Sequence, residues 1–305
     1  MNIGKLFQKW CNAAADSQAV IITDSNQISI SEEIKNDWGI NCEIRYFSID
    51  NELFSILKLL RPKDLLIILI SIDTYVKAGA NNYFSPFIKP DWIESKYAFV
   101  RLDISKESLL QGLSTEKKLV YSKIDEMSCF TSGQFLWVSN EVGTDISFKI
   151  NPFSTCPHEI KEDGGFAFLP PSETSAEVIT ETANGRIVVD MTIGQLYYFG
   201  NLLNEFGLVE SPVTIIVENG TITDIYGNGM ATELKAALFD LSVECRMLTE
   251  LGQGLSKMAP TGLIGVDESI IDSCHFGFGD GGACGVHLDV VISNPLIIIN
   301  NEGIK

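Results

Sequence analysis

Positive charge and histidine are scarce in this 305-residue sequence: 22 Lys and Arg stand against 40 Asp and Glu, with only three histidines. Phosphate backbones and anionic membranes are bound by clustered cations, so a formal charge of -18 argues against a nucleic-acid or membrane partner. The acidic residues are scattered rather than gathered into a tail, as on a solvated surface. Long apolar runs are missing too: the longest, Leu65 to Ile72, is far short of the roughly 20 residues that span a bilayer. Lys5, Lys9 and Trp10 interrupt any N-terminal apolar stretch, so no secretory signal is expected. The seven cysteines (Cys11, Cys42, Cys129, Cys156, Cys245, Cys274 and Cys284) are odd in number, irregularly spaced and without a C-x-x-C pair. Buried free thiols in a reducing cytoplasm are the simplest account. No G-x-G-x-x-G or P-loop follows the apolar strand segments of the first 110 residues, and no G-x-S-x-G elbow occurs, which weakens a nucleotide-binding or serine-hydrolase reading.

What remains is an ordinary globular composition, 45% apolar and 20% charged, long enough for two domains with real cores. The first 110 residues alternate short apolar strands with helical patterns. Ala19–Thr23, Cys42–Phe47, the continuous run Leu65–Ile72 and Tyr97–Leu102 read as strands, and Asn51–Leu60 carries apolar residues at helical spacing. Continuous apolar strands separated by helices predict a parallel sheet covered on both faces. Thr115–Met127 predicts a polar helix.

After about residue 130 the texture changes. Gln134–Val138 and Asp145–Ile150 predict a hairpin, Gly185–Asp190 a strand, and Val213–Val217 with Thr221–Ile225 a second hairpin turning at Asn219-Gly220. Met230–Leu251 predicts one long helix, with Leu234, Ala237, Leu238, Leu241 and Cys245 on one stripe. The expected fold class is α/β: an N-terminal α/β domain with a mainly parallel sheet over residues 1–150, then a β-rich α+β domain over 151–305 carrying a metal site.

Two of the three histidines, His275 and His287, lie within thirteen residues of each other. Val286–Ile292 reads as a strand, which places His287 and Asp289 on one face, about 7 Å apart at strand rise. An imidazole and a carboxylate so placed can chelate one divalent ion. His275 sits in a second apparent strand, Ser273–Gly279, with Phe276 and Phe278 on the opposite face. The glycine-rich connection 280–285 would bring the two strands side by side. Two histidines and one carboxylate are the minimum set for a facial-triad Fe(II) or catalytic zinc site. Spacing alone also admits a structural His-Asp pair with His275 a separate core residue.

The segments Thr249-Glu-Leu-Gly-Gln-Gly254, Gly265-Val-Asp-Glu-Ser269, Cys274-His-Phe-Gly-Phe-Gly279, Gly281-Gly282 and His287-Leu-Asp289 follow one another in an order that resembles the aminopeptidase T (thermophilic metalloprotease) family. That family shows E-L-x-x-G, D-E-K, G-T-x-H-x-A-x-G and H-x-D in the same sequence. Upstream, Phe168-Leu-Pro-Pro-Ser-Glu173 is similar to its N-L-P-x-G-E segment, and the likeness is strongest over roughly residues 165–303. The resemblance implies metal ligands at Glu173, Glu250, His275, His287 and Asp289, with a carboxylate of Glu173 or Glu250 not consumed in ligation acting as general base. It also implies a divalent ion (zinc, manganese, cobalt or Fe(II)), a small-molecule or short-peptide substrate, and a homodimer.

Three positions depart from the pattern. The family's tyrosine seven residues after the first histidine is Gly282 here, the lysine of D-E-K is Ser269, and the glycine before the first glutamate is Ser172. A related branch, the 2,5-dihydroxypyridine dioxygenases, would use one Fe(II) held by His275, His287 and Asp289. A third reading keeps the fold as a non-catalytic binding protein. Among the remaining candidates, His158 is expected in a surface loop, Cys274 packed opposite His275, and Glu250 near the C-terminal end of the long helix.

Overall fold

The computed structural model describes residues 2–14, 16–47, 57–77, 84–85, 88–91, 93–162, 164–227 and 229–299. The chain forms two compact units, Met1–Glu116 with Cys156–Ser172, and Lys117–Thr155 with Glu173–Lys305. Where the sequence shows one change of texture near residue 150, the chain passes between units three times. The segment from Cys156 returns to add the last strand to the first unit's sheet.

The first unit is α/β. Strands β1 (Ala19–Thr23), β2 (Cys42–Tyr46), β3 (Leu65–Leu69), β4 (Lys96–Val100) and β8 (Phe166–Leu169) form a parallel sheet in the order β2-β1-β3-β4-β8. Every residue of β1, β3 and β4 is buried, as continuous apolar runs in a covered parallel sheet require. Helix α1 (Ile3–Cys11) turns Ile3, Phe7, Trp10 and Cys11 inward, and α2 (Ile28–Trp38) does the same with Ile30, Ile34 and Trp38. Both tryptophans satisfy their indole N–H on backbone: Trp10 donates to the Leu113 carbonyl at 2.7 Å and Trp38 to that of Ser17 at 3.1 Å. Helices α3 (Ile72–Lys77) and α4 (Lys106–Leu113) complete the unit; α4 is capped by Ser105, whose hydroxyl accepts from the Ser108 amide. The end of the apolar run at Leu65–Ile72 is therefore already helix. Of the helical pattern predicted over Asn51–Leu60, residues 51–56 lie outside the described residues.

The second unit is β-rich. Helix α5 (Lys117–Ser128) leads into the hairpin β5 (Phe135–Ser139) and β6 (Asp145–Ile150), then the short β7 (Ser154–Thr155). The 17-residue β9 (Glu173–Val189) is the spine of a 12-stranded antiparallel sheet. Around it are β10 (Thr192–Ile193), β13 (Gly207–Leu208), β14 (Val213–Glu218), β15 (Thr221–Tyr226), β16 (Leu248–Gly254), β17 (Ser273–Phe278), β18 (Leu288–Ser293) and β19 (Leu296–Ile299). The strands β11 (Leu196–Tyr198) and β12 (Asn201–Asn204) form a separate two-stranded ribbon. At the β14–β15 turn, Asn219 and Gly220 both take positive φ, 49° and 79°, as the Asn-Gly signal predicts. Phe148, Leu251, Phe276, Phe278, Leu288 and Val290 are fully buried in this unit's main core. No helix among the described residues is long and apolar enough to cross a membrane.

One element differs from expectation. The long helix predicted over Met230–Leu251 is helix α6 (Gly229–Phe239), a 3-10 turn at Val243–Arg246, and strand β16. The spacing that mimics a helix has a β-sheet cause. A bulge between Leu248 and Glu250 leaves Thr249 as an extra residue, so Leu248 and Leu251, three apart, both face the core opposite Phe278 and Phe276. The Thr249 hydroxyl is held there within bonding reach of the Gly277 and Gly279 carbonyls, at 3.2 and 2.8 Å.

Candidate metal centre

Four neighbouring strands, β9, β16, β17 and β18, build the candidate centre. In register across β16, β17 and β18, Glu250 lies beside Gly277 and Gly277 beside Asp289, while Gly252 lies beside His275. On the other side of β16, Gly254 pairs with Glu173, the first residue of β9. Each acidic or imidazole side chain thus has a glycine next to it on the adjoining strand. These glycines are required by close approach. A Cβ on Gly254 would meet the Ile270 carbonyl oxygen at 2.1 Å, and one on Gly277 would lie 2.9 Å from the Glu250 Cβ and 3.1 Å from both Asp289 Oδ1 and His287 Cε1.

Glu250 is therefore a mid-sheet residue, not one at a helix end, and the bulge at Thr249 turns its carboxylate away from the core. The opposite faces of the same strands carry Leu251, Cys274, Phe276, Phe278, Leu288 and Val290, all fully buried. Cys274 and the two phenylalanines accordingly point away from His275, as the alternation predicts. His287 directly precedes β18 and reaches the same face as Asp289. His158 lies in the first unit, and position 282 is an exposed loop glycine where a Cβ would meet only the Asp280 carbonyl oxygen at 3.8 Å.

The five residues that the sequence singles out come together as two overlapping groups. Ligand atoms of Glu173, Glu250 and His275 lie within 4.8 Å of one another, and so do those of Glu250, His287 and Asp289. Glu250 belongs to both. Within them, His275 Nε2 is 3.0 Å from Glu173 Oε2, and His287 Nε2 is 3.3 Å from Asp289 Oδ1 and 3.6 Å from Glu250 Oε2.

The two imidazoles are presented differently. His275 is 2% exposed, its ring lies against Gly252, and its Nδ1 is buried with no hydrogen-bond partner. His287 is at the surface of the site, and its Nδ1 is 3.3 Å from the Gly279 carbonyl oxygen. A carbonyl only accepts, so Nδ1 carries the hydrogen and Nε2 is left to face the carboxylates. Gly279 itself takes φ +77°, and a Cβ there would strike the Val286 carbonyl at 2.4 Å.

Electrostatics follow the same division. Burial disfavours a charged His275, but Glu173 by charge and hydrogen bond, with Asp289 and Glu268 behind it, outweighs burial and raises the imidazole pKa to about 10. For His287, Asp289 by charge and hydrogen bond dominates over burial, with Glu250 adding, and the pKa again rises to about 10. Without an ion the carboxylates hold protons on the imidazoles; a divalent cation would occupy the same negative field. Two imidazoles and three carboxylates, converging with nitrogen and oxygen donors on one face, fit zinc, manganese, cobalt or Fe(II).

An open cleft of about 500 Å³ leads to Glu250 and His287; its walls include Asn151, Ser175, Glu177, Thr249 and Asp280. A larger groove of about 600 Å³ by Trp137, Asp145 and Ile298 contains none of the five residues. Donor chemistry, rather than volume, selects the smaller one.

No sequence family matches this chain, and no curated protein does. Solved structures do share its fold, two of them over nearly its whole length. The structure of 2,5-dihydroxypyridine dioxygenase from Pseudomonas putida KT2440 superposes with a TM-score of 0.60 at 15% identity, over 98% of this chain and 94% of that one. Wild-type AmpT from Thermus thermophilus superposes with a TM-score of 0.54 at 12% identity, over 97% and 94%. At these identities the likeness is one of fold.

Proposed function

We propose that the chain is a metal-dependent hydrolase acting on a short peptide or related amide, with two ion positions joined by Glu250. The observation that carries the reading is the membership of Glu250 in both ligand groups. One carboxylate within reach of two sets of donors is the arrangement expected of a bridging ligand. The structural likeness to AmpT is in keeping with it. Among the described residues the cleft walls include Glu177, Glu250 and Asp280 but no Lys or Arg, an environment suited to the free amino end of a peptide.

A divalent ion held by these side chains would supply Lewis acidity toward a carbonyl and activate water. The chain's own contribution is placement and proton handling. Gly279 fixes the His287 tautomer, Gly252 seats the His275 ring, and Asp289 orients His287 from the next residue on its face. With Glu250 shared between the two positions, a carboxylate oxygen of Glu173 not engaged in ligation would accept the proton of the attacking water.

The second reading is a mononuclear Fe(II) ring-cleaving dioxygenase using His275, His287 and Asp289, favoured by the fold likeness to the dioxygenase. Elemental analysis of the purified chain, paired with two assays, separates the readings. About two equivalents of zinc, manganese or cobalt with release of N-terminal residues from short peptides supports the hydrolase. One equivalent of iron with oxygen uptake on a dihydroxylated ring replaces it with the dioxygenase. Failure to bind any of these ions sinks both and leaves a non-catalytic binding protein.

A further inference from the structure

We infer that Cys245 and Cys284 are a redox-active thiol pair that closes to an intramolecular disulfide on exposure to a small-molecule disulfide. Cys245 lies in the 3-10 turn that leads into the Glu250 strand, and Cys284 in the loop between the strands of His275 and His287. The Cys245 thiol donates to the Cys284 carbonyl oxygen at 3.4 Å, so the sulfur is already against the other residue's backbone. That approach is compatible with the Cα separations of about 4.4–6.8 Å that disulfides span.

The surroundings favour closure between these two over any other pair. Cys11, Cys42 and Cys156 belong to the first unit, Cys129 is exposed on a helix end, and Cys274 faces the core from the middle of a strand. Cys284 lies in the loop with Gly281, Gly282 and Gly285. Its sulfur meets the Val286 carbonyl and amide, each at 3.4 Å, and its thiol also interacts with the Asp280 carboxylate and the Cys245 thiol. Both are free cysteines; burial, opposed by the Ser242 hydroxyl and joined by the neighbouring Cys284 thiol, raises the Cys245 pKa.

The order of reaction follows exposure. Cys284 is 7% exposed and Cys245 is not exposed at all. The Cys284 thiolate attacks the small disulfide, forming a mixed disulfide and releasing one thiolate. The Cys245 thiolate then attacks the Cys284 sulfur, forming the protein disulfide and releasing the second. Two protein thiols lose two protons and two electrons, and the reagent is reduced to two thiols. Glu250 and His275 lie between the cysteines in sequence, so the new bond ties the start of the Glu250 strand to the loop entering the His287 strand. The inference is independent of which ion, if any, the site holds.

The test treats the full-length chain with oxidised glutathione in native buffer, blocks remaining thiols with maleimide in denaturant, and maps peptides by mass. The expected product joins the Cys245 and Cys284 peptides, is reversed by dithiothreitol, and leaves exposed Cys129 as a separate glutathione adduct. In Cys245→Ser, Cys284 is expected to stop at the glutathione adduct. An unchanged dithiol after prolonged exposure, a wild-type adduct on Cys284 with Cys245 free, or Cys245 joined elsewhere overturns the proposal. A second measurement needs no variant: phenylarsine oxide, which bridges two adjacent thiols, is expected to protect both Cys245 and Cys284 from maleimide after denaturation. If either is left open to maleimide, the pairing is wrong.

Discussion

The imidazole of His275 lies directly against the backbone of Gly252: a Cβ at that glycine would fall 2.0 Å from Cε1 and 2.2 Å from Nε2. Gly252 has ordinary strand backbone, so what its side chain would cost is purely steric. Gly252→Ala is expected to push the ring off its seat, with destabilisation of about 1–3 kcal/mol from overpacking. Metal affinity is expected to fall on the order of 10–100-fold, as when a ligand loses its support. Thermal melts and equilibrium dialysis with elemental analysis read the two effects. Wild-type metal retention in a folded Gly252→Ala chain would remove His275 from the ligand set.

Deleting ligands one at a time tests the sharing of Glu250. Glu173→Ala and Asp289→Ala each touch one of the two groups, whereas Glu250→Ala touches both. Stoichiometry is therefore expected to drop from about two ions per chain to about one in the first two variants, and toward none in the third. Equal losses in all three would mean that the five residues form a single site.

Metal uptake should be linked to protons with a definite sign. Both imidazoles have pKa values near 10 in the ion-free chain, so at pH 7 an entering ion must displace a proton from each. Affinity is then expected to rise with pH from 6 to 9, and calorimetry in buffers of different ionisation enthalpy should register proton release on binding. The same shifts stabilise the ion-free fold: a raised folded pKa gives stabilisation that is full below about 6.5 and lost as pH rises through about 10. Melts in the presence of a chelator should therefore decline over that window, and a flat profile would contradict the ion pairs.

Much of this arrangement is legible in the sequence because its periods are simple. His287 and Asp289 share a face by alternation, Phe276 and Phe278 take the other, and Leu65–Ile72 and Ala19–Thr23 announce a covered parallel sheet. Glu250 is the instructive failure. The bulge at Thr249 sets Leu248 and Leu251 three apart on the core side, and three is also a helical interval, so the strand continues the periodicity of the helix before it. Gly252 and Gly254 hold the missing signal. Two glycines in a run otherwise suited to helix are costly there, but in a strand they mark places where a ring and another backbone come close. Glu173 has no local pattern at all: it joins the site only because β9 pairs with β16, a contact between residues 73 to 81 positions apart, as the registry of Glu250 with Glu177 and Gly254 with Glu173 shows.

The first unit offers a prediction of its own at Asp64, the residue that closes the turn into β3. Its carboxylate is 1% exposed and accepts from the Arg61 amide at 2.9 Å, Arg61 Nε at 3.0 Å and Nη2 at 3.1 Å, and the Gln18 amide at 3.3 Å. Burial opposes ionisation, but these hydrogen bonds and the Arg61 charge outweigh it and hold the pKa below its usual 3.8. A depressed folded pKa means stabilisation that is present above about 3.8 and lost as pH falls through the folded value. Asp64→Asn keeps the shape but removes the charge and turns one acceptor into a donor, at an expected cost of about 1–3 kcal/mol near neutral pH. The gap in melting temperature between the wild type and Asp64→Asn should be widest above pH 5 and shrink as pH falls below about 3.8 and the wild-type carboxyl takes up its proton. A gap that stays constant down to pH 2 would show that the ionised carboxylate contributes nothing at this turn.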